Sequence, residues 1–533
     1  MRASQRGIWL AVAVVALSAV LGGIYGPRVQ ATVTGDSEIQ QAIRNFTKAY
    51  AIIEQKYAEP VDPDRAIFQG AIPGMLRSLD PHSSFFDARS FSLLREEQTG
   101  HYYGVGMTVA PRDGRTIVLA PFVGSPAYKV GLRPGDVIYR VDGTPTENLT
   151  TSEVADMLKG PKGTVVRVQV LREGHDEPLE FLITRDEIPR LSVEYHFALR
   201  PGIGYVRLAS FNENTDKELI QALNALGGTS LEGLILDLRG NPGGLLTEGV
   251  AVADMFLAQN QLIVSHRGRS QRERRYYATQ GNRGRQFPLV VLIDRFSASA
   301  AEIVAGAIQD HDRGLVVGET SFGKGLVQTV YPLSQSTGLA LTTARYYTPS
   351  GRLIQRDFTA VSLYNYYYAQ NRENNNYDAY TTDSGRTVYG GGGITPDVEV
   401  PRSELNPFQE KLVRKLILYP WNVGVGDFAK RYLARHPDIS QDFEVDESVL
   451  NEFRAYLQER NLPYTEPDIQ ENLDWIKIKV KKELFTSVFG RDQGYRVAIG
   501  GDPQVQRAIE VLPQAKALAD DARRTLARQQ KKN

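Results

Sequence analysis

Two short apolar runs, LEGLILDL (231–238) and PLVVLIDR (288–295), leave this chain little choice of architecture. Neither is long enough for an ordinary helix, and neither alternates with polar residues, so both read as buried strands. Strands of this kind need helices to cover them. Helical stretches do surround them: KELIQALNAL (217–226) comes before the first, VAVADMFLA (250–258) lies between the two, and a further helix starts at about 299. With GYVRLASF (204–211) as another strand, residues 188–400 read as an α/β core.

The rest of the chain has a different texture. A length of 533 residues with 42% hydrophobic content implies three or more domains. Residues 36–98 read as partly helical, because Ile39, Ile43, Phe46, Tyr50 and Ile53 recur at spacings of three and four. SLDPHSSFFD (78–87) breaks that period. Its His82–Ser83 pair suggests catalysis, but Asp-Pro followed by Ser is better explained as turn and helix-cap chemistry. Residues 99–187 form a small strand-rich module with two short helices, SPAYKVGL and TSEVADMLKG, the second capped by Thr151 or Ser152. A Tyr- and Asn-rich stretch at 363–380, within an insertion of about 357–388, lacks an apolar period and reads as a surface insertion. Residues 401–533 read as mostly helical, ending in a solvated basic tail.

Charge and composition exclude several functions. Lys plus Arg and Asp plus Glu both total 62, which gives no electrostatic case for a nucleic-acid partner. There is no cysteine, hence no disulfide, thiol nucleophile or Cys-ligated zinc, and the seven His form no HExxH pair. No metal and no cofactor is expected. Arg2 and Arg6 precede an uncharged run at 8–25, so residues 1–31 read as a signal peptide or a membrane anchor, with VQA (29–31) as a cleavage candidate. Either way, the body of the protein is expected to be extracytoplasmic: periplasmic or held on the outer face of the cytoplasmic membrane.

The chemistry gathers at two stretches. GETSFGKG (318–325) comes close to a phosphate-binding loop, but Gly325 stands where a hydroxyl must ligate Mg²⁺, and the next residues, LVQTVYPLS, read as a strand rather than a helix. Lys324 therefore needs another role. In LIDRFSASAAEIVAGAIQD (292–310) a strand runs into a helix through small residues, placing Ser299 at the helix N-terminus. Ser299 and Glu302 also fit a Ser-x-x-Glu capping box, where the hydroxyl would merely cap the helix. No Gly-x-Ser-x-Gly elbow and no evident His–Asp pair accompanies the serine, so a nucleophile here needs a base other than His. Lys324, one helix and one strand later in a glycine-flanked turn, can approach it. A lysine amine, protonated up to about pH 10.4, acts as a base only if burial brings it to near neutrality, at a cost of about 4 kcal/mol. Phe322, Leu326 and the helix face of Ile303, Val304 and Ala307 offer the apolar setting.

Two resemblances extend this reading. YYGVGM (102–107) and GLRPGDVIYRVDG resemble a PDZ domain, which implies capture of peptide C-termini by Tyr103, Gly104, Val105 and Gly106 through strand addition. SASAAE, GETSFGKGLVQ, LILDLRGNPGG (234–244), YYTPSGRLIQ (346–355) and GGITPDVEV (392–400) resemble the tail-specific, or carboxyl-terminal processing, serine proteases over most of residues 40–400. That family implies an α/β protease core with an inserted PDZ domain of β-barrel-like form and helical terminal regions. It also implies Ser299 as nucleophile, Lys324 as general base, Gln328 as the residue orienting the lysine, and an oxyanion hole from the N–H of Ala300 with that of Gly243 or Gly244. The implied partners are protein substrates with accessible C-termini, with an adaptor and self-association left open. Ala301 departs from the family, which often has Ser there. A non-catalytic PDZ scaffold or chaperone and an acyl hydrolase on the same core are the competing functions.

Overall fold

The structure is a computed structural model describing residues 36–270, 272–333, 336–359, 362–368, 378–414 and 425–530. The uncharged run at 8–25 lies outside the described residues. Among the described residues no helix is long and apolar enough to cross a membrane. The chain divides into two compact units, Met1–Met75 and Leu76–Asn533. In the first, helix α1 (Asp36–Lys56) carries the predicted period, with Ile39, Ile43, Phe46 and Ile53 exposed.

The second unit opens with strand β1 (Ser84–Phe86) and helix α2 (Ala88–Thr99), capped by the Asp87 side chain and closed by left-handed Gly100. The strand-rich module follows. Strands β2 (His101–Gly104), β3 (Met107–Arg112), β4 (Arg115–Pro121) and β5 (Val137–Val141) precede helix α3 (Thr151–Leu158), and β6 (Val165–Leu171), β7 (Leu179–Thr184) and β8 (Asp186–Pro189) follow it. The main sheet runs β3-β4-β5-β6-β7, while β2 pairs with β8. Val166, Val168 and Val170 alternate inward to a core with Ile138, Val154 and Ile183. The cap of α3 is Thr150, one residue earlier than the sequence suggests, because Glu153 sits three residues on and completes a capping box with it.

The core contains β9 (Val193–Arg200), β10 (Ile203–Leu208), α4 (Thr215–Ala225), β11 (Gly233–Asp237), α5 (Leu246–Asp254), β12 (Leu262–Arg267), β13 (Arg274–Tyr277), β14 (Leu289–Ile293), α6 (Ala300–Asp310) and β15 (Leu315–Gly318). It continues with β16 (Leu326–Pro332), β17 (Gly338–Tyr347), α7 (Leu363–Tyr368) and β18 (Val398–Glu399). A six-stranded sheet runs β9-β10-β11-β14-β15-β18, antiparallel only at its first pair. A second sheet runs β1-β17-β12-β13, with β16 on β17.

The two apolar runs of the sequence are the centre of the first sheet, and their residues alternate between two cores. Leu234, Leu236, Leu289 and Val291 face α4, α5 and α6. Ile235, Val290 and Leu292 face the other way, onto Val505, Ile509 and Leu512 of the C-terminal helices Pro503–Glu510 and Leu512–Gln530. The end of the helical C-terminal region is thus the second helical layer of the core. A polar network joins it to the sheet: fully buried Asp237 accepts from Tyr205 (2.6 Å) and Arg239 (2.6 Å), and Arg239 also donates to Asp502 and Gln504 (2.7 Å each).

Candidate active site

The turn after β14 and the turn after β11 are fastened to one another. Ser297 Oγ donates to the Leu238 carbonyl (2.8 Å), and Ala298 N–H donates to the Asn241 carbonyl (2.9 Å). Asn241, fully buried, ties its amide to the Leu208 carbonyl (2.7 Å) and accepts the Gly243 N–H (2.8 Å). Gly243 has φ 97°, and a Cβ there would lie 2.7 Å from Ser299 Cβ and 2.9 Å from Ala300 N. Glycine is what lets the two turns touch.

The sequence left Ser299 as cap or nucleophile. Glu302 accepts the Ser299 N–H, but the Ser299 hydroxyl makes no cap hydrogen bond, and its backbone lies at φ 55°, ψ −115°, far from the extended conformation of an ordinary cap such as Thr150. A non-glycine residue held there costs about 1–3 kcal/mol, and such strain gathers at functional sites. It makes the same kind of sharp strand-to-helix turn that lifts a nucleophile out of a sheet. The helix it opens, α6, is buried along its whole length.

Glu302 does more than cap. Its carboxylate, wholly buried, accepts the N–H of Ser299 (2.8 Å), the N–H of Lys324 (2.9 Å), the N–H of Gly323 (2.7 Å) and the Ser321 hydroxyl (2.5 Å). Burial pushes its carboxyl above the usual range, and these donors oppose the push. Buried Tyr346 completes the grip, its hydroxyl facing the carbonyls of Lys324 (2.6 Å) and Ser299 (3.1 Å). Neither role was legible in the sequence. The capping box pointed to Glu302, but only as a local device.

Lys324 Nζ donates to Gln328 Oε1 (3.0 Å), and Gln328 Nε2 donates to the carbonyl of His82. Burial holds the Lys324 amine below its ordinary value, against the opposing pull of Glu302 and Asp80. His82 and Ser83 form the turn expected of them: Asp80 accepts both N–H groups (2.8 and 2.7 Å) and the Ser83 hydroxyl (2.8 Å). Burial and the neighbouring Lys324 push the His82 ring down to about 4.

Ser299, Lys324, Gln328, Gly243 and Gly244 all line one cleft of about 540 Å³, together with Ile303 and Leu326. The N–H of Gly243 is committed to Asn241, whereas those of Ala300 and Gly244 have no hydrogen-bond partner among the described residues. Among the described residues no group of His, Asp or Glu is placed to hold a metal ion.

The proposed peptide-binding residues sit in the other module. Tyr103 and Gly104 end β2, and Val105 and Gly106 lead into β3, an edge strand with α3 packed against it. The carbonyls of Tyr103, Val105 and Gly106 accept from Gly160 (3.3 Å), Ala127 (2.8 Å) and Phe122 (2.9 Å). Helix α2 lies between module and cleft. It lines the cleft with Leu94, Glu97 and Gln98, and it pairs with the module through Arg89–Asp156 (2.9 Å) and Glu96–Lys159 (2.7 Å).

This arrangement is a peptidase core carrying a PDZ domain, and comparison with known proteins agrees. Residues 202–360 match the peptidase family S41 and 117–172 the PDZ domain. Residues 26–90 match the N-terminal domain of the activating protease CtpB, and 422–467 the C-terminal helical domain of a probable PDZ-protease. The chain is 40% identical over 329 residues to the carboxy-terminal-processing protease of Bartonella bacilliformis, covering 61% of this chain and 75% of that one. To the carboxy-terminal processing protease CtpB of Bacillus subtilis it is 34% identical over 334 residues, 62% of this chain and 68% of the relative. Among solved structures, the photosystem II D1 C-terminal processing protease is 33% identical, covering 67% of this chain and 86% of that one, with a TM-score of 0.35. The chain belongs to the carboxy-terminal processing proteases.

Proposed function

We propose that this protease is an exported serine endopeptidase that captures the C-terminal tails of protein substrates on its PDZ domain and cuts them with a Ser–Lys dyad. The observation that carries the reading is the shared grip of Glu302 and Tyr346 on the backbones of Ser299 and Lys324, beside a lysine whose amine burial holds below its ordinary value.

Neutral Lys324 takes the Ser299 proton as the hydroxyl attacks the scissile carbonyl, and returns it to the leaving amine. Gln328 orients the amine. The oxyanion is received by the N–H groups of Ala300 and Gly244, the former at the N-terminus of α6, where the helix dipole adds to the field. Gly243 supplies the close approach rather than a donor. A substrate tail adds to the free edge of β3, its carboxylate met by the Tyr103–Gly106 stretch, and α2 links that event to the cleft. Export rests on Arg2, Arg6 and the uncharged run at 8–25.

The test is cleavage of a tail-bearing polypeptide, followed by mass spectrometry. Wild type cuts it, Ser299→Ala and Lys324→Ala do not while keeping their fold, and deleting the tail slows cleavage. Equal cleavage by either variant contradicts the dyad; indifference to the tail contradicts the role given to the PDZ domain.

A further inference from the structure

Two hydrogen-bond paths lead away from Lys324, and both end on one hydroxyl, that of Tyr366 in the insertion. The first runs through Gln328 and His82: Lys324 to the Gln328 side chain, Gln328 to the His82 backbone carbonyl, and the His82 ring Nε2 to the Tyr366 hydroxyl at 2.9 Å. The second starts one residue along the backbone. Gly325 N–H donates to Gln355 Oε1 (2.9 Å), and Gln355 Nε2 donates to the Tyr366 oxygen (3.1 Å). The phenol oxygen accepts from Gln355 and shares one hydrogen bond with His82 Nε2, so a single hydroxyl closes both paths.

The surroundings are built to hold that hydroxyl. The sequence reads 363–380 as surface insertion, yet Tyr366 on α7 is 2% exposed. Its ring meets His82, Phe322 and Phe358 edge-on at 5.7, 5.5 and 6.0 Å, with the Arg356 guanidinium 4.6 Å from its centre. Arg356 also donates to the Tyr366 carbonyl. A buried phenol keeps its place when its hydroxyl is satisfied, and here both of its partners lead to the lysine turn.

We propose that Tyr366 is a positioning residue for the general base, tying the insertion through His82 to the Gln328 amide and through Gln355 to the Gly325 backbone, and so fixing the lysine turn on both sides. This rests on the reading of Lys324 as the base. The insertion is then part of the machinery that keeps the amine oriented and dry, rather than a surface ornament. The titratable groups facing Lys324 are the carboxylates of Glu302 on α6 and Asp80 on the turn before β1, with the uncharged His82 ring beside them; Arg356 faces His82.

Tyr366→Phe removes the hydroxyl and keeps the ring. In the full-length protein, kcat is expected to fall about five- to tenfold with KM little changed, the scale of one lost hydrogen bond. The midpoint of the pH–kcat profile is expected to rise, since a loosened turn admits water to the amine. Introduced into Gln328→Ala, the same change should cost less than it does alone, because part of its effect passes through Gln328. An unchanged kcat and pH midpoint, a fully additive loss, or a loss that merely follows a lower unfolding temperature overturns the proposal. Cleavage that survives Ser299→Ala is a different result: it overturns the dyad reading itself.

Discussion

Glu302 and Tyr346 hold the same two residues by opposite ends. The carboxylate takes the N–H groups of Ser299 and Lys324, and the phenol hydroxyl faces their carbonyls. The turn that bears the serine and the turn that bears the lysine are separate in sequence, and these two buried side chains make them one rigid piece.

Glu302→Gln should therefore be damaging despite its small change in shape. Each carboxylate oxygen accepts from two donors, so an amide NH₂ must confront donors on one side. A loss of about 2–3 kcal/mol in unfolding free energy is expected, with a fall in kcat larger than any change in KM. Urea unfolding and steady-state cleavage of one peptide measure both.

Gly243→Ala should act on chemistry more than on binding. The new Cβ would meet Ser299 Cβ at 2.7 Å and the Ala298 carbonyl at 2.8 Å, at a φ of 97° that disfavours alanine. The serine turn must shift away from the oxyanion donors, and a loss of about 10²-fold or more in kcat is expected, as when one such donor is removed. Binding of a tail peptide to the PDZ domain, followed by fluorescence anisotropy, should be unaltered.

Much of this was legible in the chain. Residues 233–236 of β11 and the five buried residues of β14 declared themselves by unbroken apolar runs, and Ser299 and Lys324 by small-residue turns at strand ends. What was hidden depends on contacts between distant residues. Glu302 has its other partners at Ser321, Gly323 and Lys324, which no local motif connects to it. Tyr366 is buried by Phe322, Phe358 and His82 rather than by an apolar period of its own. The C-terminal helices read as a separate region because their apolar faces do not say which sheet they cover; Ile235, Val290 and Leu292 supply the answer.

His82 gives stability a pH dependence. Its ring titrates at about 4 when folded, because of burial and Lys324, and near 6.5 when unfolded. Between those values the unfolded chain binds a proton that the folded chain refuses, so this contribution to stability is lost as the pH falls from about 6.5 to about 4. Denaturation at about pH 7 and about pH 4.5 should show a smaller acid loss in His82→Asn than in wild type.

Removing Arg239 should uncouple the C-terminal helices from the sheet. Arg239→Ala leaves Asp237, fully buried, with Tyr205 at 2.6 Å and Arg207 only at 3.8 Å, and strips Asp502 and Gln504 of their shared donor. A cost of about 3–5 kcal/mol is expected. Hydrogen exchange should rise first in the helices Pro503–Glu510 and Leu512–Gln530.

The central claim is that Lys324 serves Ser299 as an uncharged amine. Its most direct test is the rate at which a phosphonofluoridate labels Ser299 as a function of pH. Labelling confined to Ser299, rising through a midpoint well below the lysine value of about 10.4 and falling to background in Lys324→Ala, is the predicted result. Labelling that is indifferent to Lys324, or that follows the ordinary titration of a lysine, would contradict it.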